Sequence, residues 1–205
     1  MPLTSETVVP GLDHVVLAGG TPNQWLMTPE EWSTRLAEIA RGASAGAAHW
    51  VTVLPHHGHD LSVDQLATFG RQMMATKKVT AMESGSGTRF VFRADKNLSV
   101  IIDPIADGHA RFAAVVESLR IAGVDPDSVS EDSLSRALLA PATQEADLVV
   151  VLGPPDRLPE SMVWELAYSE LVFIDIEWSM FTSSHLELAI DDFNRRHRRF
   201  GGLDS

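Results

Sequence analysis

Three clusters of residues in this chain are of a kind that does chemistry. The first is His14-Val-Val-Leu-Ala-Gly-Gly-Thr-Pro-Asn-Gln-Trp25, an apolar run ending in a Gly/Pro/Asn turn. A strand that runs into such a turn can present backbone amides to a phosphate or another anion. The candidate donors are Gly19, Gly20 and Asn23, and a turn that merely connects two elements is the alternative. No charged residue lies between His14 and Glu30, so the turn supplies neither a carboxylate for a metal nor a cation for a phosphate. The second cluster is His56, His57 and His59 beside Asp60. Sequence-adjacent histidines rarely converge on one ion and Asp60 alone completes no ligand set, so a polar strand-to-helix loop is the expected role. The third is the cationic end, Arg195-Arg-His-Arg-Arg-Phe-Gly-Gly202. Its arginines can fork two donors onto phosphate oxygens, or form a solvated basic helix end. Among the serines and histidines there is no recognisable nucleophile elbow or triad order.

The elements that must position these clusters follow from the hydrophobic pattern. With 205 residues, 44% of them hydrophobic, the chain suits one domain over residues 1–205 with a sizeable core. Strands are expected at 13–18, 50–54, 89–93, 98–103, 147–152 and 171–174. Runs such as "DLVVVL" are apolar on both faces, as central parallel strands are. Between them a helix starts at N-cap Thr28, with Pro29 and Glu31 completing the signal, and is expected to stop at Gly42. Further helices are expected at 62–76, 107–122, 130–139, 160–169 and 182–199. The alternation predicts an α/β fold: a single domain whose central, mostly parallel sheet of about six strands is flanked by helices. "MESGSGT" (82–88) reads as a flexible surface loop joining two strands. Trp25, Trp32, Trp50 and Trp164 sit in apolar patterns and are expected in the core.

Composition excludes several classes. There are no cysteines, hence no disulfide framework or thiolate metal site. A net charge of −12 argues against nucleic-acid binding. The N-terminus lacks signal-peptide features and no apolar run reaches the ~20 residues of a membrane span, so a cytoplasmic protein is expected.

The C-terminal quarter, "ADLVVVLGPPDRLPESMVWELAYSELVFIDIEWSMFTSSHLELAIDDFNRRHRRFGG", resembles the end of the cis-prenyltransferases, the undecaprenyl diphosphate synthase family. The run Trp164-Glu-Leu-Ala-Tyr-Ser-Glu-Leu171, then Asp175, Trp178 and Arg198-Arg-Phe-Gly-Gly202, matches that family in type and spacing. The opening stretch aligns without a gap on its N-terminal motif, with His14 and Trp25 on the family's His and Trp. What the resemblance also reveals is loss. The family's metal-binding Asp falls on Gly20, its next two residues on Thr21-Pro22, and its phosphate-binding Arg on Gln24. A second family Arg falls on Val151, while Arg157 is kept. The family's "NYGGR" stretch is replaced by "IDPIADGHAR" (102–111).

This pattern is similar to the non-catalytic, Nogo-B-receptor-type subunits of heteromeric cis-prenyltransferases, with "LGPPD" at 152–156 and "RFG" at 199–201. The resemblance implies that Arg199 and Gly201 act in trans, in the active site of a catalytic partner subunit. There isopentenyl diphosphate is condensed onto an allylic diphosphate with magnesium held by the partner. No metal is expected in this chain. Arg157, Glu170, Gly19, Gly20 and Asn23 are the candidate substrate-binding residues; Arg157 could equally pair with Asp156 or Glu160, and Glu170 with a local Arg. The implied assembly is a heterodimer or heterotetramer, otherwise a homodimer, with any membrane association peripheral, through complex or product. An active homodimeric prenyltransferase or terpene-forming enzyme, and a non-enzymatic prenyl-diphosphate-binding or scaffold protein, are the alternatives.

Overall fold

The computed structural model describes residues 11–155, 158, 160, 162, 164–166 and 169–200. Five parallel strands make up one side of a seven-stranded sheet, out to its edge. They are β1 (His14–Ala18), β2 (Trp50–Leu54), β5 (Ser99–Ile102), β6 (Leu148–Leu152) and β7 (Glu170–Ile174). An antiparallel hairpin, β3 (Val79–Ser84) and β4 (Gly87–Arg93), extends the sheet beyond β5. The strand order is β3-β4-β5-β2-β1-β6-β7. Six strands were expected; the seventh is β3, and the supposed loop 82–88 is paired strand on both sides of the turn at Gly85-Ser86. β3 escapes detection because its outward positions are polar or small and half of it is exposed.

Helices α1 (Pro29–Ser44), α2 (Val63–Ala75) and α5 (Ser183–Phe200) contribute to the larger core. It joins Val15, Leu17, Val53, Ile102 and Val150 to Trp32, Leu36, Phe69, Met73, Leu186 and Ile190. Helices α3 (Gly108–Ile121) and α4 (Glu131–Leu139) pack on each other. Leu139 of α4 meets Ile101, from the opposite set of strand positions, and Val16, Ala18, Val149 and Val151 form a further cluster with Met162. Alternate strand residues thus supply different cores, as the period of two requires.

Local chemistry explains the helix starts. Thr28 caps α1 and Glu31 closes the capping box; Ser62 and Gln65 do the same for α2. Gly42 does not end α1 as expected. It lies in the last turn, where a Cβ would come within 2.8 Å of Leu186 and of the Ser183 carbonyl, so it is the contact that lets α5 approach. The helix expected at 160–169 is absent from its described residues, which form turn, bend and irregular backbone; the remainder lie outside the described residues. Trp25 and Trp32 are fully buried as expected, whereas Trp50 and Trp164 are half-buried.

His14 shows why β1 holds its place. It is fully buried, and the Gln144 carbonyl 2.8 Å from Nδ1 can only accept, so Nδ1 carries the proton and Nε2 accepts from the Thr52 hydroxyl at 2.9 Å. Burial pushes its pKa below the usual histidine range, in keeping with this neutral tautomer.

Candidate functional site

In a parallel sheet the ligand crevice lies beyond the carboxyl ends of the strands, where the winding reverses. Here the chain steps from β1 to β2 on one side and later returns to place β6 on the other, so the crevice falls between β1 and β6. Gly19 and Gly20 follow β1 there, and Gly153 follows β6.

Side chains of the protein itself occupy this crevice. A Cβ on Gly19 would come within 2.6 Å of the Trp178 ring and one on Gly20 within 2.9 Å. Gly20 has φ +72°, a conformation that glycine adopts without penalty. On the facing side, a Cβ on Gly153 would stand 3.2 Å from the His56 imidazole. The small residues therefore admit an indole and an imidazole of this same chain. Gly19, expected to offer its amide to an anion, gives it to the Leu54 carbonyl at 3.0 Å and accepts from Trp25 Nε1 at 2.9 Å. The Gly20 carbonyl accepts from the His56 amide at 2.8 Å. The Thr21 amide donates to Gln24 Oε1, and Asn23 Oδ1 accepts from Gln65 Nε2 at 3.0 Å.

Beneath the turn, Trp25, Trp32, Phe69 and Trp178 pack with ring centroids 5.7–6.4 Å apart, filling the space between α1, α2 and the sheet. Arg35 lies over Trp178 at 4.6 Å, and burial holds its pKa below the usual arginine value. A magnesium ion takes hard oxygen ligands, carboxylates foremost. The turn presents amides, glycines and aromatic carbon, so these residues do not fit that ion.

Glu170 is elsewhere. It opens β7 opposite Leu148, at the amino edge of the sheet, and its carboxylate is 3.8 Å from the Arg196 guanidinium on α5. α5 runs alongside α1, with Leu186 against Gly42 and Ile190 against Gly46, and then continues for ten residues past the end of α1. Arg199 lies in that overhang; its side chain is not among those described, and Arg157 and Gly201 lie outside the described residues. Five-residue strands span about 16 Å, and ten helical residues another 15 Å or so. The expected residues thus separate into two groups at opposite ends of the sheet: Gly19, Gly20 and Asn23 at one, Glu170 and the end of α5 at the other. Of the apolar residues of α5, Leu186, Ile190 and Phe193 face the core, while Leu188 points outward.

Sequence reasoning missed one polar assembly at the carboxyl edge. Arg89 Nε donates to Asp103 Oδ2 at 2.9 Å, Arg111 lies 3.9 Å from the same carboxylate, and Arg111 Nη2 donates to Glu165. All four side chains are at most 3% exposed. They tie β4, the end of β5, the first turn of α3 and the segment before β7 into one charge-balanced chain. Their scatter over 77 positions of sequence leaves no spacing signal.

Comparison with known proteins agrees with this architecture. The family described as putative undecaprenyl diphosphate synthase matches residues 107–201. Isoprenyl transferase 2 of Bradyrhizobium diazoefficiens is 43% identical over 79 residues, 38% of this chain and 31% of that protein. The (2E,6E)-farnesyl-diphosphate-specific ditrans,polycis-undecaprenyl-diphosphate synthase of Lactiplantibacillus plantarum is 39% identical over 100 residues, 48% of this chain and 38% of that protein. The matched region thus spans little more than a third of these relatives at most. Two solved structures align over nearly the whole chain. Lavandulyl diphosphate synthase from Lavandula x intermedia, solved with dimethylallyl diphosphate, has a TM-score of 0.57 at 15% identity and covers 88% of this chain and 94% of its own. A probable undecaprenyl diphosphate synthase from Campylobacter jejuni has a TM-score of 0.58 at 13% identity, covering 94% and 99%. The chain has the single-domain α/β fold of the cis-prenyltransferases. In sequence, the match to the family described as putative undecaprenyl diphosphate synthase covers residues 107–201, a little under half of the chain.

Proposed function

We propose that this chain is the accessory subunit of a heteromeric cis-prenyltransferase, lending Arg199 and Gly201 to the active site of a catalytic partner. That partner would hold the magnesium and condense isopentenyl diphosphate onto an allylic diphosphate. The observation that carries the reading is the separation of the two residue groups, on the order of 30 Å from the geometry of strands and helices. The end of α5 cannot reach its own Gly19–Gly20 turn, so a diphosphate site using both would need two chains. The filling of the turn by Trp178 and the absence there of a carboxylate favour the turn of the other chain as the catalytic one. Ionising a diphosphate without metal and Arg clamps forfeits most of the transition-state stabilisation; losing one such group typically costs about 10²–10³ in rate.

Reconstitution tests this. Isopentenyl incorporation by a catalytic cis-prenyltransferase subunit is measured with this chain, without it, and with Arg199→Ala. Stimulation that Arg199→Ala abolishes is expected; equal activity in all three mixtures overturns the reading. A second reading is favoured by the names of the relatives, isoprenyl transferases among them: an active homodimer in which the end of α5 of each copy serves the other. Turnover by the purified chain alone, with an allylic diphosphate and magnesium, would select it.

A further inference from the structure

α2 carries two apolar faces, and the fold uses only one. Phe69 and Met73 are fully buried in the core. A second strip, Val63, Leu66, Ala67, Gly70 and Met74, advances by helical steps along the other side. Val63 is 85% exposed, Leu66 44% and Met74 54%, a concentration of bare apolar surface that packing does not explain. The strip borders an open groove of about 490 Å³ whose far wall is the hairpin, through Ala81 and Phe90, and the residues Pro104 and Ile105 that follow β5.

The charge around this strip runs against that of the molecule. All three lysines of the chain, Lys77, Lys78 and Lys96, stand with Arg71 and Arg93 on α2 and the adjoining turns, and all five are exposed. Lys78 links the two turns: its Nζ donates to the Ala94 carbonyl at 3.2 Å, and its own carbonyl accepts from the Arg93 amide. Over residues 61–97 the exposed cations Arg71, Lys77, Lys78, Arg93 and Lys96 stand against only Asp64, Glu83 and Asp95, in a protein of net charge −12, while Arg89 is buried against Asp103 and adds nothing to this surface.

We propose that this edge, α2 with the β3–β4 hairpin, docks on the surface of an anionic lipid bilayer. Val63, Leu66 and Met74 enter the headgroup–acyl boundary, and the lysines meet lipid phosphates. Charge complementarity selects this occupant: an acidic protein repelled elsewhere by an anionic surface is turned to present its basic edge. The residues involved are distinct from Arg199 and Glu170, so the proposal stands or falls separately from the accessory-subunit reading.

Sedimentation of the full chain with vesicles tests it. Vesicles of phosphatidylcholine and phosphatidylglycerol in equal parts should carry the protein down, and phosphatidylcholine alone should not. Replacing Lys77, Lys78 and Lys96 together by Ala should lower partitioning by roughly 100-fold, and high salt should do likewise. The V63S/L66S/M74S variant should also lose binding while its thermal unfolding stays within a few degrees of the parent, since these side chains are exposed. Equal binding to neutral vesicles, or unchanged binding by both triple variants, overturns the proposal. So does loss of binding that follows R195A/R196A instead, which would place the membrane contact on α5.

Discussion

The two faces of the sheet are sealed by opposite means. On the α1/α2/α5 face Trp25, Trp32, Phe69 and Trp178 close the core by area and shape. On the α3/α4 face the strand residues are smaller clusters, and Arg89, Asp103, Arg111 and Glu165 join the elements through charge. Apolar packing is graded, because each methylene contributes a little. A buried ion chain is not: replacing all of it by apolar residues can be neutral, while removing one member strands a charge. The first face tolerates drift; the second changes as a set or not at all.

The largest expected effect breaks the charged face. Arg111→Met should destabilise the fold by about 3–5 kcal/mol in urea titrations, because Glu165 and Asp103 lose a buried partner. Adding Glu165→Met should recover part of that loss; no recovery in the double variant would mean that the chain does not act as a unit. Next comes the turn. Gly20→Asp puts a side chain at φ +72° and within 2.9 Å of Trp178, so a cost of about 1–3 kcal/mol is expected. The variant should also gain no isopentenyl turnover on its own. A rise in turnover by the isolated chain would show that one carboxylate suffices.

A finer contrast lies within the aromatic face. Trp25 Nε1 donates to the Gly19 carbonyl, whereas Trp178 Nε1 is buried with no acceptor among the described residues. Trp25→Phe should therefore cost about 1 kcal/mol more than Trp178→Phe, and equal losses would refute that assignment. The smallest effect is a pH slope. Burial lowers the His14 pKa in the fold, so the unfolded chain takes up the proton first as pH drops. The stabilisation is complete above about pH 6.5 and is lost as pH falls from there toward the depressed folded value. The urea midpoint should be lower on the acid side of this range, and His14→Gln should flatten the difference. The carboxyls held low by backbone amides, Glu31 through Thr28 and Glu38 through Ser183, act at lower pH, through and below the usual Glu value of 4.5.

Much of the fold was legible because its central strands are apolar on both faces and α1, α2 and α4 begin with capping boxes. β1, β2, β5 and β6 lie within a residue of where the pattern puts them. β3 was not legible, since an edge strand half exposed carries no apolar run, and Gly42 looked like a stop because sequence does not show α5 passing beside it. For the site, spacing gave the residue types but not their places. Glu170 and Gly20 both adjoin strands, and only the parallel register reveals that they sit at opposite ends of them. The ion chain was invisible because its members come from four separate elements.

The position of β1 has a consequence for synthesis. It lies between β2 and β6, and β6 is made almost a hundred residues after β2. A nascent chain that has emerged through β5 therefore holds its most buried strand with one row of amides and carbonyls bare, waiting for residues 148–152. Residues 107–201, the stretch that the family model matches, bring that missing neighbour but not the strand it covers. Neither portion is a module that could be moved intact into another chain.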